Sequence, residues 1–116
     1  MQEIMLVNIE KLLEMRINQR DFKLVEALDE KSYKEGHIPG ALNLPVTRDS
    51  DADEVGRKAA DLGIEKDDPV VVYCASYTCG TSTRATRLLQ EAGYGNVVDF
   101  KAGKAGWKKA GFDLES

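Results

Sequence analysis

The sequence predicts an α/β fold in which a parallel sheet carries helices on both faces. Two observations carry that expectation. Short extended runs alternate with short helical ones along the chain, and such alternation builds parallel sheets. Pro69-Val70-Val71-Val72-Tyr73 is an apolar, β-branched run with no polar side left for water, the pattern of a strand buried on both faces. At 116 residues the chain suits one core, so a single domain over 1–116 is expected.

The elements follow in order. Asn8 is placed to cap a helix whose apolar stripe is Ile9, Leu12, Leu13 and Ile17. Lys23 to Leu28 reads as a strand, and Asp29 caps a brief helix up to Tyr33 that Gly36 ends. Ile38-Pro39-Gly40 forces a turn before a short strand, Ala41 to Leu44, which Pro45 stops. Asp49 to Asp53 is a polar loop and helix start. That helix has Val55, Ala59 and Leu62 as its stripe and Gly63 as its stop. After the valine strand a helix begins near Ser82, with Ala85, Leu88, Leu89 and Ala92 inward and Gly93 as the stop. Val97 to Phe100 is the next strand, and Lys104 to Ala110 a last short helix before Gly111.

Composition narrows the function classes. The apolar fraction of 42% is enough for a core, which argues against intrinsic disorder. Sixteen basic and twenty acidic residues leave a formal charge of −4, with no block of like charge. Neither a nucleic-acid binder nor a membrane-surface protein is expected. The apolar runs are far too short to span a bilayer. Met1-Gln2-Glu3-Ile4 shows no export pattern, so the expected location is the cytoplasm. Two cysteines do not make a disulfide-stapled fold. With one histidine they form no recognisable metal set. No G-x-G-x-x-G or Walker loop is present, so no cofactor is expected.

In a parallel sheet of this kind ligands sit beyond the carboxyl ends of the strands. The loop there reads Cys74-Ala75-Ser76-Tyr77-Thr78-Cys79-Gly80-Thr81, and Ser82 opens the following helix. Backbone N–H groups of such a loop, and the unpaired donors of a helix's first turn, can curl around a sulfur. The helix macrodipole adds partial positive charge. Cys74 is therefore expected as a nucleophile with a pKa below the free value of about 8.5. Ala75, Ser76, Tyr77, Thr78, Gly80, Thr81 and Ser82 would cradle an anionic substrate. The other reading of Cys74 is a small buried hydrophobe.

A second segment decides between them. Tyr33-Lys34-Glu35-Gly36-His37-Ile38-Pro39-Gly40-Ala41-Leu42-Asn43-Leu44 resembles the N-terminal signature of the rhodanese family. Val71-Val72-Tyr73-Cys74 is similar to the family's strand and active cysteine, and Leu88 to Tyr94 to the helix after it. Asn96-Val97-Val98 and Ala102-Gly103-Lys104-Ala105-Gly106-Trp107 resemble the family's closing segments. The resemblance runs from about Val7 to the C-terminus. It implies about five parallel strands with helices on both faces, and sulfur transfer through a persulfide on Cys74. The donor would be a small sulfur-containing anion or a persulfide, and the acceptor a thiol. Within the signature, His37 is expected to tie a loop by hydrogen bonds rather than titrate in a reaction, and Trp107 to lie in the core.

The chain also departs from the family pattern. Glu26-Ala27-Leu28 stands where many active members read D-V-R, and Thr81 stands where the loop arginine would be. The guanidinium that would meet thiosulfate bidentately is absent, which argues against efficient thiosulfate:cyanide transfer. Lys101 and Lys104, on the same rim, are candidates for the missing anion attraction. The longer loop, shared with a C-x4-C subset of rhodanese-like domains, adds Cys79. That thiol either resolves a Cys74 persulfide, releasing sulfide and leaving a disulfide, or only packs under the loop. Phosphoryl transfer on a C-x5-R signature is set aside, because Gly80 occupies the arginine position. The remaining rival is a non-catalytic rhodanese-like module that binds a protein partner or senses redox state.

Overall fold

A computed structural model describes residues 3–18 and 21–116. The described residues form one sheet of β1 (Met5–Leu6), β2 (Lys23–Glu26), β3 (Leu42–Asn43), β4 (Val70–Tyr73) and β5 (Val97–Phe100). Across the sheet the order is β1-β5-β4-β2-β3, with every neighbouring pair parallel. The helices are α1 (Ile9–Ile17), α2 (Glu30–Glu35), α3 (Ala52–Asp61), α4 (Thr81–Glu91) and α5 (Gly103–Lys109). The α/β parallel-sheet fold expected from the sequence is the fold found.

Alternation along the strands divides the core in two. Val25, Val70, Val72 and Val97 face α3 and α4, packing with Val55, Ala59, Ala85 and Leu89. Leu24, Val71, Tyr73 and Phe100 face the other way, against Leu12 and Met15 of α1 and Trp107 of α5. β4 is buried at all four positions because it is central and covered on both faces.

Local chemistry sets the element ends. Asn8, Asp29 and Asp51 cap α1, α2 and α3, each side chain accepting the N–H three residues on, which satisfies donors the helix leaves unpaired. Gly63 and Gly93 end α3 and α4 at positive φ, where a Cβ would be strained.

Several expectations need correction. Ile17 is 78% exposed, and Met15 takes the inward place expected of it. Leu12 and Met15 are three apart and share one face of α1, whereas Ile17 turns outward in the last turn. Leu62 lies outward at the end of α3. The second strand stops at Glu26, two residues short of Leu28, and α5 starts at Gly103. The edge strand β1 was not anticipated from the chain's alternation. It is two residues long with both side chains exposed, so it carries no hydrophobic pattern. Only its pairing with Val98 and Asp99 identifies it.

The register brings the carboxyl ends of three strands level: Glu26 pairs with Tyr73, and Tyr73 with Phe100. Cys74 and its loop leave from the middle of that rim.

Candidate active site

Cys74 follows β4 directly and is fully buried. Its backbone is pinned from the neighbouring element. The N–H of Lys104 donates to the Cys74 carbonyl at 3.0 Å, and that of Ala105 to the Ala75 carbonyl at 2.9 Å. The free donors at the start of α5 thus hold the base of the loop. Gly103 makes this approach possible: its φ is +61°, and a Cβ there would run into the Cys74 carbonyl.

The cradle expected around Cys74 divides between two sulfurs. At Cys74 the Ser82 N–H, in the first turn of α4, points to Sγ at 3.4 Å. The Ser82 hydroxyl is buried against the same sulfur and has no other partner. The Cys74 S–H donates to the Cys79 carbonyl at 3.4 Å. Other donors converge on the Cys79 sulfur, the N–H groups of Ala75 and Thr81 and the Thr81 hydroxyl, and the Cys74 thiol lies against it. Cys79 is half-buried, and both cysteines are free thiols.

These surroundings reverse the expected acidity. Burial pushes the Cys74 thiol up, and its hydrogen bond to Cys79 adds to the effect. The Ser82 hydroxyl and N–H pull the other way without overcoming it. Desolvation counts more than one helix N-terminus when the sulfur has no access to water. Cys79 moves oppositely. Its partial burial is outweighed by the bonds from Cys74, Thr81 and Ala75, and its thiol falls to about 7.

The other loop residues take varied places. Ser76 and Thr78 share a hydroxyl contact of 3.2 Å, and the Cys79 N–H closes a turn on the Ser76 carbonyl. Tyr77 stands outward at the tip, 63% exposed. Ala75 and Thr78 are also exposed. Gly80 has an ordinary φ of −86° and open space around it, so the loop places no demand on a glycine there.

Lys101 and Lys104, considered for anion attraction, are engaged elsewhere, as is Arg84 at the start of α4. Lys104 Nζ lies 3.0 Å from Glu26 Oε2 and donates to the Ser32 carbonyl at 2.9 Å. Lys101 Nζ donates to Thr83 Oγ1, which donates to the buried Asp99 carboxylate. Arg84 donates to the carbonyls of Thr47 and Arg48 at 3.1 and 2.5 Å, so it braces the loop before α3. His37 ties a loop, as expected. Nδ1 meets the Tyr33 carbonyl at 2.9 Å, the ring stacks on Tyr33, and Nε2 lies 3.3 Å from Glu115. Trp107 is buried in the core.

Among the described residues, the carboxylates of Glu65, Asp67 and Asp68 come together closely enough to consider a cation. They lie before β4, at the end of the strand away from Cys74, and Asp68 already accepts the Glu65 N–H. No helix among the described residues is long and apolar enough to cross a membrane. What the sequence reasoning missed is the clamp from Gly103 to Ala105. Its signal was a glycine just after β5 on the rim of the sheet, where close backbone approach needs one.

The chain belongs to the rhodanese-like domain family, whose profile matches residues 9–110. A thiosulfate sulfurtransferase of Coxiella burnetii, GlpE, is 32% identical over 92 residues, covering 79% of this chain and 77% of that protein. An HTH-type transcriptional regulator of Mycobacterium tuberculosis is 30% identical over 92 residues. The match takes in 79% of this chain but 37% of the regulator, so the chain spans little more than a third of it. Among solved structures, the Alr3790 protein from Anabaena sp. superposes with a TM-score of 0.76 at 27% identity, over 95% of this chain and 91% of that one. The 3-mercaptopyruvate sulfotransferase SseA of Escherichia coli shares the fold at 22% identity. Its TM-score is 0.78, over 98% of this chain and 51% of that one.

Proposed function

We propose that this chain is a sulfurtransferase-type enzyme, a single rhodanese-like unit that carries sulfane sulfur as a persulfide on Cys74. Cys79 serves as the partner thiol on the same loop. The observation that carries this reading is the Ser82 hydroxyl, fully buried beside the Ser82 N–H with no partner other than the Cys74 sulfur. A buried hydroxyl held only by a weak thiol acceptor is poorly satisfied, and a negatively charged sulfur on Cys74 makes a stronger acceptor for it. The donor is a persulfide or a small sulfur-containing anion. A thiolate attacks its outer sulfur, the old S–S bond breaks, and the electron pair leaves with the rest of the donor, a thiolate from a persulfide or sulfite from thiosulfate. The final acceptor is a second thiol. Arg84, Lys101 and Lys104 are engaged elsewhere, and Thr81 stands at the loop's arginine position, so persulfide donors suit the site better than thiosulfate. A reducing compartment such as the cytoplasm keeps both thiols available.

A specific likeness favours a second reading. The regulator relative is consistent with a module whose two thiols sense persulfides or oxidants for a partner. Mass spectrometry of the tryptic loop peptide after exposure to glutathione persulfide separates the two. A sulfur adduct that ends on Cys74, and that a thiol acceptor removes catalytically, supports the enzyme. An adduct that no acceptor turns over supports the sensor.

A further inference from the structure

We infer that Cys79, not Cys74, is the thiol that first takes sulfur from the donor, and that it hands the sulfur inward to Cys74. The inference rests on the sulfur-carrying reading above and sets the direction of travel within it.

Access and mobility differ between the two sulfurs. Cys74 is 0% exposed. Its carbonyl and that of Ala75 are held by the first N–H groups of α5, so moving the Cys74 backbone outward breaks two backbone hydrogen bonds. An incoming donor must place its outer sulfur in line with an attacking thiolate, and Cys74 offers no face for that. Cys79 is half-buried at the far end of a loop tip whose turn and hydroxyl contacts stay within the tip itself. Around its sulfur gather two N–H groups and the Thr81 hydroxyl. Such donors favour thiolate there, and burial disfavours it at Cys74.

The steps balance without an added oxidant. The Cys79 thiolate attacks the outer sulfur of R–S–SH. The S–S bond of the donor breaks, R–S⁻ departs, and Cys79 becomes a persulfide. Cys74 then attacks the outer sulfur of Cys79–S–SH. The bond to Cys79 breaks, Cys79 leaves as a thiolate, and the proton of the Cys74 thiol passes to it. The product is a Cys74 persulfide facing the Ser82 N–H and hydroxyl, with Cys79 restored. Each S–S bond broken is replaced by one formed, and the pair undergoes no net oxidation. The Cys74 thiol, which donates to the Cys79 carbonyl at 3.4 Å and lies against the Cys79 sulfur, supplies the proximity. This order differs from resolution by Cys79, in which sulfide departs and a disulfide remains.

Rapid-quench loading of the wild-type chain with glutathione persulfide, followed by peptide mapping, tests the order. The sulfur adduct is expected on Cys79 first and on Cys74 later. Cys79→Ser should slow charging of Cys74 at least tenfold, and more for glutathione persulfide than for the smaller hydrodisulfide ion. Cys74→Ser should leave the adduct on Cys79, with no transfer onward. A Cys79→Ser chain that charges Cys74 as fast as wild type overturns the relay, as does a wild-type adduct that appears first on Cys74. Circular dichroism checks that the variant is folded. Cys79→Ala replaces it if it is not, and the wild-type time course needs no variant at all. If neither wild-type cysteine is charged by either donor, the sulfur-carrying reading falls and the relay with it.

Discussion

A sulfur at the foot of a helix meets opposing forces, and Cys74 shows which one prevails. The expectation of an acidic Cys74 weighed the donors of α4 and its dipole, both of which are present in the Ser82 N–H. It could not weigh desolvation, which depends on how the loop closes over the sulfur, and burial there is complete. The donors left over went to Cys79. Glycines on the rim make a second contrast at the same scale. Gly103 sits at positive φ with the Cys74 carbonyl where a Cβ would be, whereas Gly80 has open space and a common φ. Gly103→Ala should therefore cost about 3 kcal/mol from strain and the displaced carbonyl. Gly80→Ala should cost under about 1 kcal/mol, since only a neutral helix-cap residue changes. Chemical denaturation of the two variants side by side checks the contrast. Equal losses would mean the approach of α5 to the loop is not tight.

At the scale of elements, a buried polar tie crosses four of them. Tyr73 on β4 donates to Glu26 Oε1 on β2 at 2.8 Å and accepts the Ile38 N–H at 3.0 Å. Lys104 on α5 completes the pair at Glu26 Oε2 and reaches the Ser32 carbonyl on α2. Burial, followed by the Glu26 carboxylate, pushes the Tyr73 hydroxyl far up, so it stays a donor. Removing one partner from a buried ion pair strands the other charge. Lys104→Met should thus destabilise the fold by about 3 kcal/mol. Adding Glu26→Gln should recover part of that loss, because the two sites share one interaction. Sulfur-donor affinity should not change in Lys104→Met. A drop in affinity with stability intact would restore the lysine to the anion-attracting role considered from sequence. The elements themselves were legible where pattern and burial coincide: the valines of β4, the stripe of α4 and the side-chain caps of α1 and α2. β1 was illegible because its two side chains face water. The tie through Glu26 was illegible too, because no local pattern links positions 26, 73 and 104.

For the whole molecule, the thiol pair couples stability to pH in two windows of opposite slope. Cys79 titrates at about 7 in the fold, against an ordinary value of 9.0. Between those pH values the unfolded chain keeps its proton while the folded chain has lost it, so stability rises with pH. That contribution is fully present above about 9 and is lost as pH falls through about 7. Cys74 is displaced upward, by burial first. Above pH 9 the folded chain therefore keeps a proton the unfolded chain has lost, and stability falls as pH rises further. Many other groups titrate as well, so the informative quantity is the difference from single-cysteine variants. The midpoint of thermal unfolding of wild type relative to Cys79→Ser should increase from pH 6.5 to 8.5. Relative to Cys74→Ser it should decrease from pH 9 to 10. Because the two thiols lie against each other and titrate together, the two variants should not be additive, and the double variant should show neither slope. A flat difference between wild type and Cys79→Ser over pH 6.5 to 8.5 would show that the donors around Cys79 do not hold a thiolate, and the sulfur at the tip of the loop would lose its claim to act first.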